Sequence, residues 1–270
     1  MILASGSVLT HVLAWLAAIG YLVPAVWQGF GDRMGRLVLL LGWLLGWLLH
    51  AVVLAISLAG AAPHFGFAPA LSVTAWLVGA VYAIESHFYP QLRLRRVLSA
   101  LAAVAVLLPL LFPGSALHPA ASAWLPLHWA LGIASYGLFG AAVVHAWMMG
   151  RAEDRIRQGA DPESGMPLLT LERLTFRFVE AGFALLTATL LVVLAYGETL
   201  YGPGMGLRMD HKSVFTVLSW LTFAALLLGR LRYGWRGRRA VRVLYAGAGL
   251  LFLAYVGSRF VMEVVLGRMP

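Results

Sequence analysis

The feature that most constrains this chain is a series of eight apolar runs, each close to the length of a helix that crosses a lipid bilayer. Crossing takes about 20 apolar residues, because a helix rises about 1.5 Å per residue through about 30 Å of hydrocarbon. Lipid offers no partner to free backbone groups, so each run is predicted to be an α-helix. The runs cover residues 8–28, 37–59, 69–91, 95–113, 124–148, 174–198, 212–230 and 241–265.

The composition agrees with a membrane protein. Of 270 residues, 61% are hydrophobic and 11% are charged, and the mean hydropathy is +0.84. An average soluble domain has about 25% charged residues, and a soluble fold of this size could not bury so much apolar surface. The sequence therefore predicts an all-α, polytopic transmembrane bundle of about eight spans, with one transmembrane domain over residues 1–270. The chain has no cysteine, which excludes disulfides and thiolate metal sites.

The basic residues predict the orientation of the chain. The net charge of +9 resembles that of nucleic-acid-binding proteins, but the position of the charges favours contact with lipid headgroups. The connections after the first, third, fifth and seventh runs hold two, three, five and six arginines, sixteen of the twenty basic residues. Because basic loops stay in the cytoplasm, both termini are predicted to lie outside. No nucleic-acid partner is expected.

The motifs predict no catalytic site. The chain has no phosphate-binding glycine loop with its lysine, no paired-histidine zinc motif and no nucleophile elbow. The informative residues are the eight histidines and a few charges inside the runs. His64 and His118 fall in outer loops and are expected to be solvated. His87 and His145 lie toward the cytoplasmic side, where interfacial or packing roles are expected, and His11 lies in the outer half of the first run.

Three histidines are candidate cofactor ligands. His128 begins the fifth run and His211 precedes the seventh, so both are predicted near the outer face. Two neutral imidazoles on opposite sides of a planar cofactor suit axial ligation of haem iron. His50 lies inside the second run, where an ionisable group is costly and is a functional candidate by default. The alternative for His50 is a buried, hydrogen-bonded imidazole.

Three charged residues have both a functional and a structural interpretation. Asp210 is predicted to hold the second nitrogen of a neighbouring imidazole, or to cap the seventh helix, and the two roles are compatible. Arg259 is predicted to bind a carboxylate such as a haem propionate, or to pair with Glu263 one turn on. Glu180, in the sixth run, is a candidate for pairing with Arg177.

Several segments resemble one known family, the cytochrome c assembly membrane proteins, and are most similar to its short YpjD-like inner-membrane branch. The resemblance is strongest over about residues 120–265. Its most distinctive segment is Tyr233-Gly234-Trp235-Arg236-Gly237-Arg238-Arg239. The other segments are Leu127-His128-Trp129-Ala130-Leu131-Gly132-Ile133-Ala134-Ser135-Tyr136, Leu171-Glu172-Arg173-Leu174, His211-Lys212, Ser219-Trp220 and Gly257-Ser258-Arg259-Phe260.

The resemblance implies a bacterial inner-membrane protein that binds haem near the outer face and acts in cytochrome c maturation with other assembly components. His128 stands where the family has an outer haem ligand, and Asp210 and Lys212 resemble the acid and lysine that close its tryptophan-rich outer motif. Residues 199–209 contain no tryptophan and residues 243–270 no histidine, unlike the wider family.

Two alternatives belong to other functional classes. A small-solute or ion transporter is supported by His50, Glu180 and Arg259 inside the runs. Transport folds usually show an internal repeat, and this chain shows none. A structural or regulatory membrane subunit would bind no cofactor, and a change of any one histidine would have little effect.

Overall fold

The computed structural model describes residues 5–26, 33–59, 64–88, 95–116, 124–159, 166–201 and 210–267. Within these residues every predicted run forms a helix, so the all-α prediction is confirmed. His118 lies outside the described residues. The helices are α1 Ser5–Val26, α2 Arg33–Ala59, α3 Phe67–Phe88, α4 Arg95–Leu111, α5 Trp124–Arg157, α6 Leu168–Tyr201, α7 His211–Tyr233 and α8 Gly237–Phe252, and the two short strands are β1 His64–Phe65 and β2 Ser115–Ala116.

The chain is a multi-pass membrane protein. In the described residues, six helices are long and apolar enough to cross a bilayer: α2, α3, α5, α6, α7 and the segment Gly237–Val265 that begins with α8. The apolar part of α1, Val8–Val23, is shorter, and α4 has 17 residues. That these two helices also cross the membrane stays a prediction, as does the outer position of both termini.

Helices α5 and α6 are longer than predicted. Each has 34 residues, with a kink in α6 at Tyr196, whereas the predicted runs were 124–148 and 174–198. The predicted ends were wrong because apolarity marks only the part of a helix that lies in lipid. Beyond it, polar helix-forming residues continue α5, and an Arg157–Asp154 ion pair of 2.8 Å joins neighbouring turns.

The described part of the chain divides into two compact units. Unit 1 comprises residues 1–117 and 262–270, and unit 2 comprises residues 118–261. Each unit is described by itself below. The prediction of a single transmembrane domain over residues 1–270 stays a prediction.

Glycines let α1 and α2 of unit 1 approach closely. A Cβ atom on Gly20 would lie 2.9 Å from the Gly42 carbonyl oxygen and 2.9 Å from the Gly46 Cα. A Cβ atom on Gly46 would lie 3.0 Å from the Ala17 carbonyl oxygen. Gly42 and Gly46 are spaced four apart on α2, which is the small-residue pattern of tightly packed membrane helices.

Tryptophans join α2 to α3 in unit 1. The indole N–H of Trp47 donates to the Trp76 carbonyl, and that of Trp76 donates to the Trp47 carbonyl, both at 3.1 Å. The two rings stack with centroids 4.8 Å apart. Both indole donors are therefore satisfied inside the unit, while the rings supply apolar contact.

A short antiparallel pair of strands closes one end of unit 1. In β1 and β2, His64 pairs with Ala116 and Phe65 pairs with Ser115. Gly114 has φ +83°, and a Cβ atom there would lie 2.6 Å from the Phe65 carbonyl group, so only glycine fits. A Cβ atom on Gly66 would lie 2.7 Å from Glu263 Oε1, which places the Glu263 carboxylate against the turn after β1.

Aromatic stacking and glycine contacts form the core of unit 2. The Phe139 and Phe223 rings stack with centroids 3.9 Å apart, linking α5 to α7. A Cβ atom on Gly247 of α8 would lie 3.0 Å from the Phe223 ring. Ser219 donates to the Gly247 carbonyl at 2.9 Å, so α7 and α8 meet along this face.

The Gly-Trp-Arg-Gly segment forms the corner between α7 and α8. Gly234 has φ +62° and ends α7, with its N–H directed to the last carbonyls of that helix. Arg236 donates from Nε to the buried Glu172 of α6 at 2.8 Å, and Arg230 lies 3.4 Å from the same oxygen. The hydrogen bond from Glu172 raises the pKa of Arg236. The segment thus ties three helices together at their Arg-rich ends.

The segment after α8 leaves regular α-helical geometry. Two π-turns, Leu253–Gly257 and Val261–Val265, flank the short helical turn Ser258–Phe260. The sequence predicted one regular helical span over 241–265, so the two π-turns inside it were not expected. Such turns occur frequently at functional sites, and Arg259 lies between the two.

Candidate functional site

His128 lies in the first turns of α5 and faces α6. Its imidazole is half-buried and hydrogen-bonds to the backbone of Thr189. Gly132, one turn along α5, also faces Thr189, since a Cβ atom there would be in ordinary contact, 3.8 Å, with the Thr189 methyl group. The backbone contact fixes the ring orientation, as is typical of histidines that act as ligands.

Two cations flank the ring of Tyr255. The Lys212 ammonium lies 5.9 Å from the ring centroid, and the Arg259 guanidinium carbon lies 5.8 Å from it. Both distances are in the range of cation–π contacts. We name Lys212, Tyr255 and Arg259 the Tyr255 cluster. It brings positive charge from the start of α7 and from the last span to one place in unit 2.

Tyr136 of α5 lies near the Tyr255 cluster. It stands two turns after His128 on α5, and its hydroxyl donates to the Leu251 carbonyl of α8. The Tyr136 hydroxyl also lies near Tyr255. α5 therefore carries an imidazole directed to α6 near its start and, two turns on, a tyrosine that contacts α8 and lies near Tyr255.

Asp210 caps α7, so the capping interpretation is confirmed. One carboxylate oxygen accepts the Ser213 backbone N–H at 2.9 Å. Partial burial raises the pKa of Asp210, but the Ser213 hydrogen bonds and the nearby Lys212 and His211 outweigh it, so the pKa lies below its ordinary value. The second predicted role, holding the imidazole of His211, stays a prediction.

His211 is the first residue of α7 and is exposed. It therefore stands beside both the capping carboxylate and Lys212. Of the five predicted site residues, His128, Asp210, His211 and Arg259 belong to unit 2 and His50 belongs to unit 1.

Both ring nitrogens of His50 are bonded within unit 1. The Tyr21 hydroxyl lies 3.2 Å from Nδ1, and the Ser72 hydroxyl lies 2.8 Å from Nε2. The residue is fully buried. This arrangement favours the alternative of a buried, hydrogen-bonded imidazole, because iron would have to displace one of the two partners.

The other described histidines have structural positions, although His64, expected to be solvated in a loop, is half-buried in β1. His145 is buried, and its Nδ1 donates to the Ala141 carbonyl at 2.8 Å. His87 is exposed at the end of α3, His11 is half-buried, and His64 pairs in β1. Among the residues that the structure describes, no ion pair joins Glu180 to Arg177, and both are exposed.

The donor set of unit 2 fits haem. A half-buried imidazole suits iron, and two cations suit the carboxylates of haem. In the described ranges no group of three or more His, Cys, Asp or Glu has the arrangement of a bare metal site. The sequence missed Tyr136 and Tyr255, since a tyrosine in an apolar span is common. The one signal in the sequence was the four-residue spacing of Tyr255 and Arg259, which places the two side chains next to each other on a helix.

Comparisons with known proteins agree with these features. Residues 37–266 match the family model described as Cytochrome C assembly protein. The inner membrane protein YpjD of Escherichia coli K12 is 31% identical over 150 residues, 55% of this chain and 56% of that protein. An uncharacterized 28.8 kDa protein of Azospirillum brasilense is 35% identical over 147 residues, 53% of this chain and 54% of that protein.

A more distant match is also found. The cytochrome c biogenesis protein CcsA of Synechococcus elongatus is 31% identical over 88 residues, 33% of this chain and 26% of that protein. The chain thus spans little more than half the length of the first relatives that it matches. No solved structure matches significantly.

Proposed function

Because the chain belongs to the cytochrome c assembly protein family, we propose that it binds haem in unit 2 and takes part in cytochrome c biogenesis. The observation that carries the proposal is the Tyr255 cluster, which supplies two cations in the same unit as His128. The protein is proposed to lie in the bacterial inner membrane, with this site at the outer face, and to work with other assembly components rather than as an enzyme.

Each residue has a distinct role in this proposal. Haem would supply an iron atom and two carboxylates. His128 would hold the iron, because its ring is half-buried and is oriented by Thr189. Lys212 and Arg259 would bind the carboxylates by charge-assisted hydrogen bonds. His211 would be the second ligand, and Asp210 fixes the start of α7, on which His211 and Lys212 stand.

The visible absorption spectrum of the detergent-purified protein, oxidised and reduced, tests the proposal. The wild-type protein, expressed with ample haem, is expected to show a Soret band and sharp reduced α and β bands. His128→Ala should lower haem occupancy about tenfold or more, in the range seen for loss of a ligand-orienting contact. His211→Ala should change the reduced bands from a six-coordinate to a five-coordinate form.

The matched control is His87→Ala, which removes an exposed histidine from the end of α3. Its spectrum should equal that of wild type. Lys212→Gln together with Arg259→Gln should weaken haem retention during washing while keeping the band positions, because these residues bind carboxylates and not iron. A wild-type protein without haem bands would contradict the proposal and favour a subunit without cofactor.

A further inference from the structure

A cavity lies at the Arg-rich ends of α5 and α8, apart from the proposed haem site. Its volume is about 480 Å³, which is within the range of about 300–1,000 Å³ typical of small-molecule sites. All its residues belong to unit 2. They are Met149, Gly150, Glu153, Asp154, Arg157, Arg238, Val241, Arg242 and Tyr245.

The rim of this cavity is positively charged. It carries three arginines and two acids, and each acid is engaged with an arginine. Arg238 lies 3.7 Å from Glu153, and Arg157 lies 2.8 Å from Asp154. In the part of the chain that the structure describes, the Arg242 guanidinium pairs with no acid and only contacts the Arg238 carbonyl at 3.4 Å. One full positive charge therefore remains available to an anion.

The cavity changes from charged to apolar along the helices. On α8, Arg238 and Arg242 are followed by Tyr245, so the lining extends about 10 Å along the axis from the first arginine. On α5, the charged residues are preceded by the buried Met149. A Cβ atom on Gly150 would meet no atom within 4 Å, so this position opens into the space.

We propose that this cavity binds the headgroup of an anionic phospholipid, with the phosphate on Arg242 and the start of the acyl chains against Met149, Val241 and Tyr245. A charged rim next to an apolar wall matches the two parts of a phospholipid. Basic pockets between transmembrane helices bind anionic headgroups in this way, and arginine suits phosphate because its guanidinium donates two parallel hydrogen bonds. The proposal does not depend on haem binding.

Native mass spectrometry of the detergent-purified full chain tests the proposal. The probes are dioleoyl phosphatidylglycerol and, as a zwitterionic comparison, dioleoyl phosphatidylcholine. We expect wild type to retain phosphatidylglycerol preferentially. Arg242→Gln should lower its binding about fivefold, the effect of one basic residue near an anionic lipid surface. Gly150→Leu should lower binding by filling the cavity without removing a charge.

Two control variants match these changes. Arg155→Gln removes an exposed arginine of α5 that does not line the cavity, and Gly249→Leu adds a side chain at another open glycine. Both should bind phosphatidylglycerol as wild type does. Equal binding of the two lipids, or equal losses in controls and test variants, would overturn the proposal.

A competition experiment distinguishes lipid from free phosphate. Inorganic phosphate in large excess should not release bound phosphatidylglycerol, because the acyl chains contribute contact with the apolar wall. Release of the lipid by phosphate, with retention of phosphate in the cavity, would identify a soluble anion as the occupant and overturn the lipid assignment.

Discussion

At the scale of single residues, His50 shows how a buried ionisable group is accommodated in an apolar environment. Its two ring nitrogens meet the hydroxyls of Tyr21 and Ser72, and the Tyr21 ring contacts the imidazole edge-on with centroids 5.9 Å apart. Each of these groups would be costly to bury alone. The two hydrogen bonds of His50 together join α1, α2 and α3 of unit 1.

His50→Ala is expected to destabilise the protein by about 2–4 kcal/mol, because it creates a cavity and leaves two buried hydroxyls without a partner. Thermal unfolding followed by intrinsic fluorescence in detergent would measure the change. The exposed His87→Ala is the control and should be neutral. Haem occupancy per folded molecule should stay at the wild-type level; a loss of haem without a loss of stability would instead make His50 a ligand.

Asp210→Ala should destabilise the protein by about 1 kcal/mol, since it removes the cap of α7. The pKa of Asp210 lies below its ordinary value of 3.8, so the ionised form is favoured in the folded state. The stability it contributes is therefore present above pH 3.8 and is lost as the pH falls through the lowered pKa.

Asp210→Asn separates the hydrogen bond from the charge, because asparagine also caps helices. Its unfolding temperature near neutral pH should exceed that of Asp210→Ala, and it should lack the acid-dependent loss. The unfolding temperature of wild type should therefore fall more steeply with falling pH than that of Asp210→Asn. Equal slopes would show that the carboxylate charge contributes nothing to stability.

The residue scale also shows what the sequence can predict of the site. The cap at Asp210 was predictable because a capping residue before an apolar run is a local signal. The Tyr255 cluster was not, because it depends on a contact between the start of α7 and the last span. A hydrogen-bonded imidazole was one of the two alternatives for His50, but its partners could not be named, since Tyr21 and Ser72 are 29 and 22 residues away in sequence.

At the scale of helices, the close contact between α1 and α2 depends on glycines, which have no side chain. Gly20→Ala would place a methyl group 2.9 Å from backbone atoms of Gly42 and Gly46, which cannot move aside as a side chain can. We expect a loss of about 1–3 kcal/mol of stability, the usual effect of overpacking.

Gly249→Ala provides the comparison for this change. Its added methyl group meets no atom within 4 Å, so the better helix propensity of alanine should leave stability unchanged or slightly higher. Both variants would be compared by thermal unfolding in the same detergent. Equal unfolding temperatures would contradict the close approach of α1 and α2.

Helix positions were predictable and helix ends were not. In the residues that the structure describes, each apolar run forms a helix, because lipid demands internal backbone bonding wherever the chain is apolar. α5 extends beyond its apolar run through polar residues whose helicity comes from propensity and ion pairs, such as Arg157–Asp154. Hydropathy carries no information about such turns.

At the scale of the whole molecule, the Arg distribution predicts the orientation of the chain. The cysteine-free sequence allows a direct test with single engineered cysteines. Ala116 is exposed in β2 on the predicted outer side, and Gln158 is exposed after α5 on the predicted cytoplasmic side.

A membrane-impermeant maleimide added to intact cells should label Ala116→Cys and spare Gln158→Cys. Both should react after the cells are permeabilised, which controls for accessibility. The opposite pattern would invert the orientation and would place the Tyr255 cluster and His128 on the cytoplasmic side, in conflict with haem handling at the outer face.

The two π-turns of the last span are the geometry that results when one residue is inserted into an α-helix. A π-turn holds one residue more than an α-turn, so it accommodates an inserted codon without unwinding the helix on either side. A relative with a regular α-helix in place of Leu253–Gly257 should be one residue shorter between its counterparts of Gly247 and Arg259. In that relative, the arginine would keep its register to the α7 contact, whereas loss of one residue without loss of the π-turn would rotate it by about 100°, the turn that one residue makes in an α-helix.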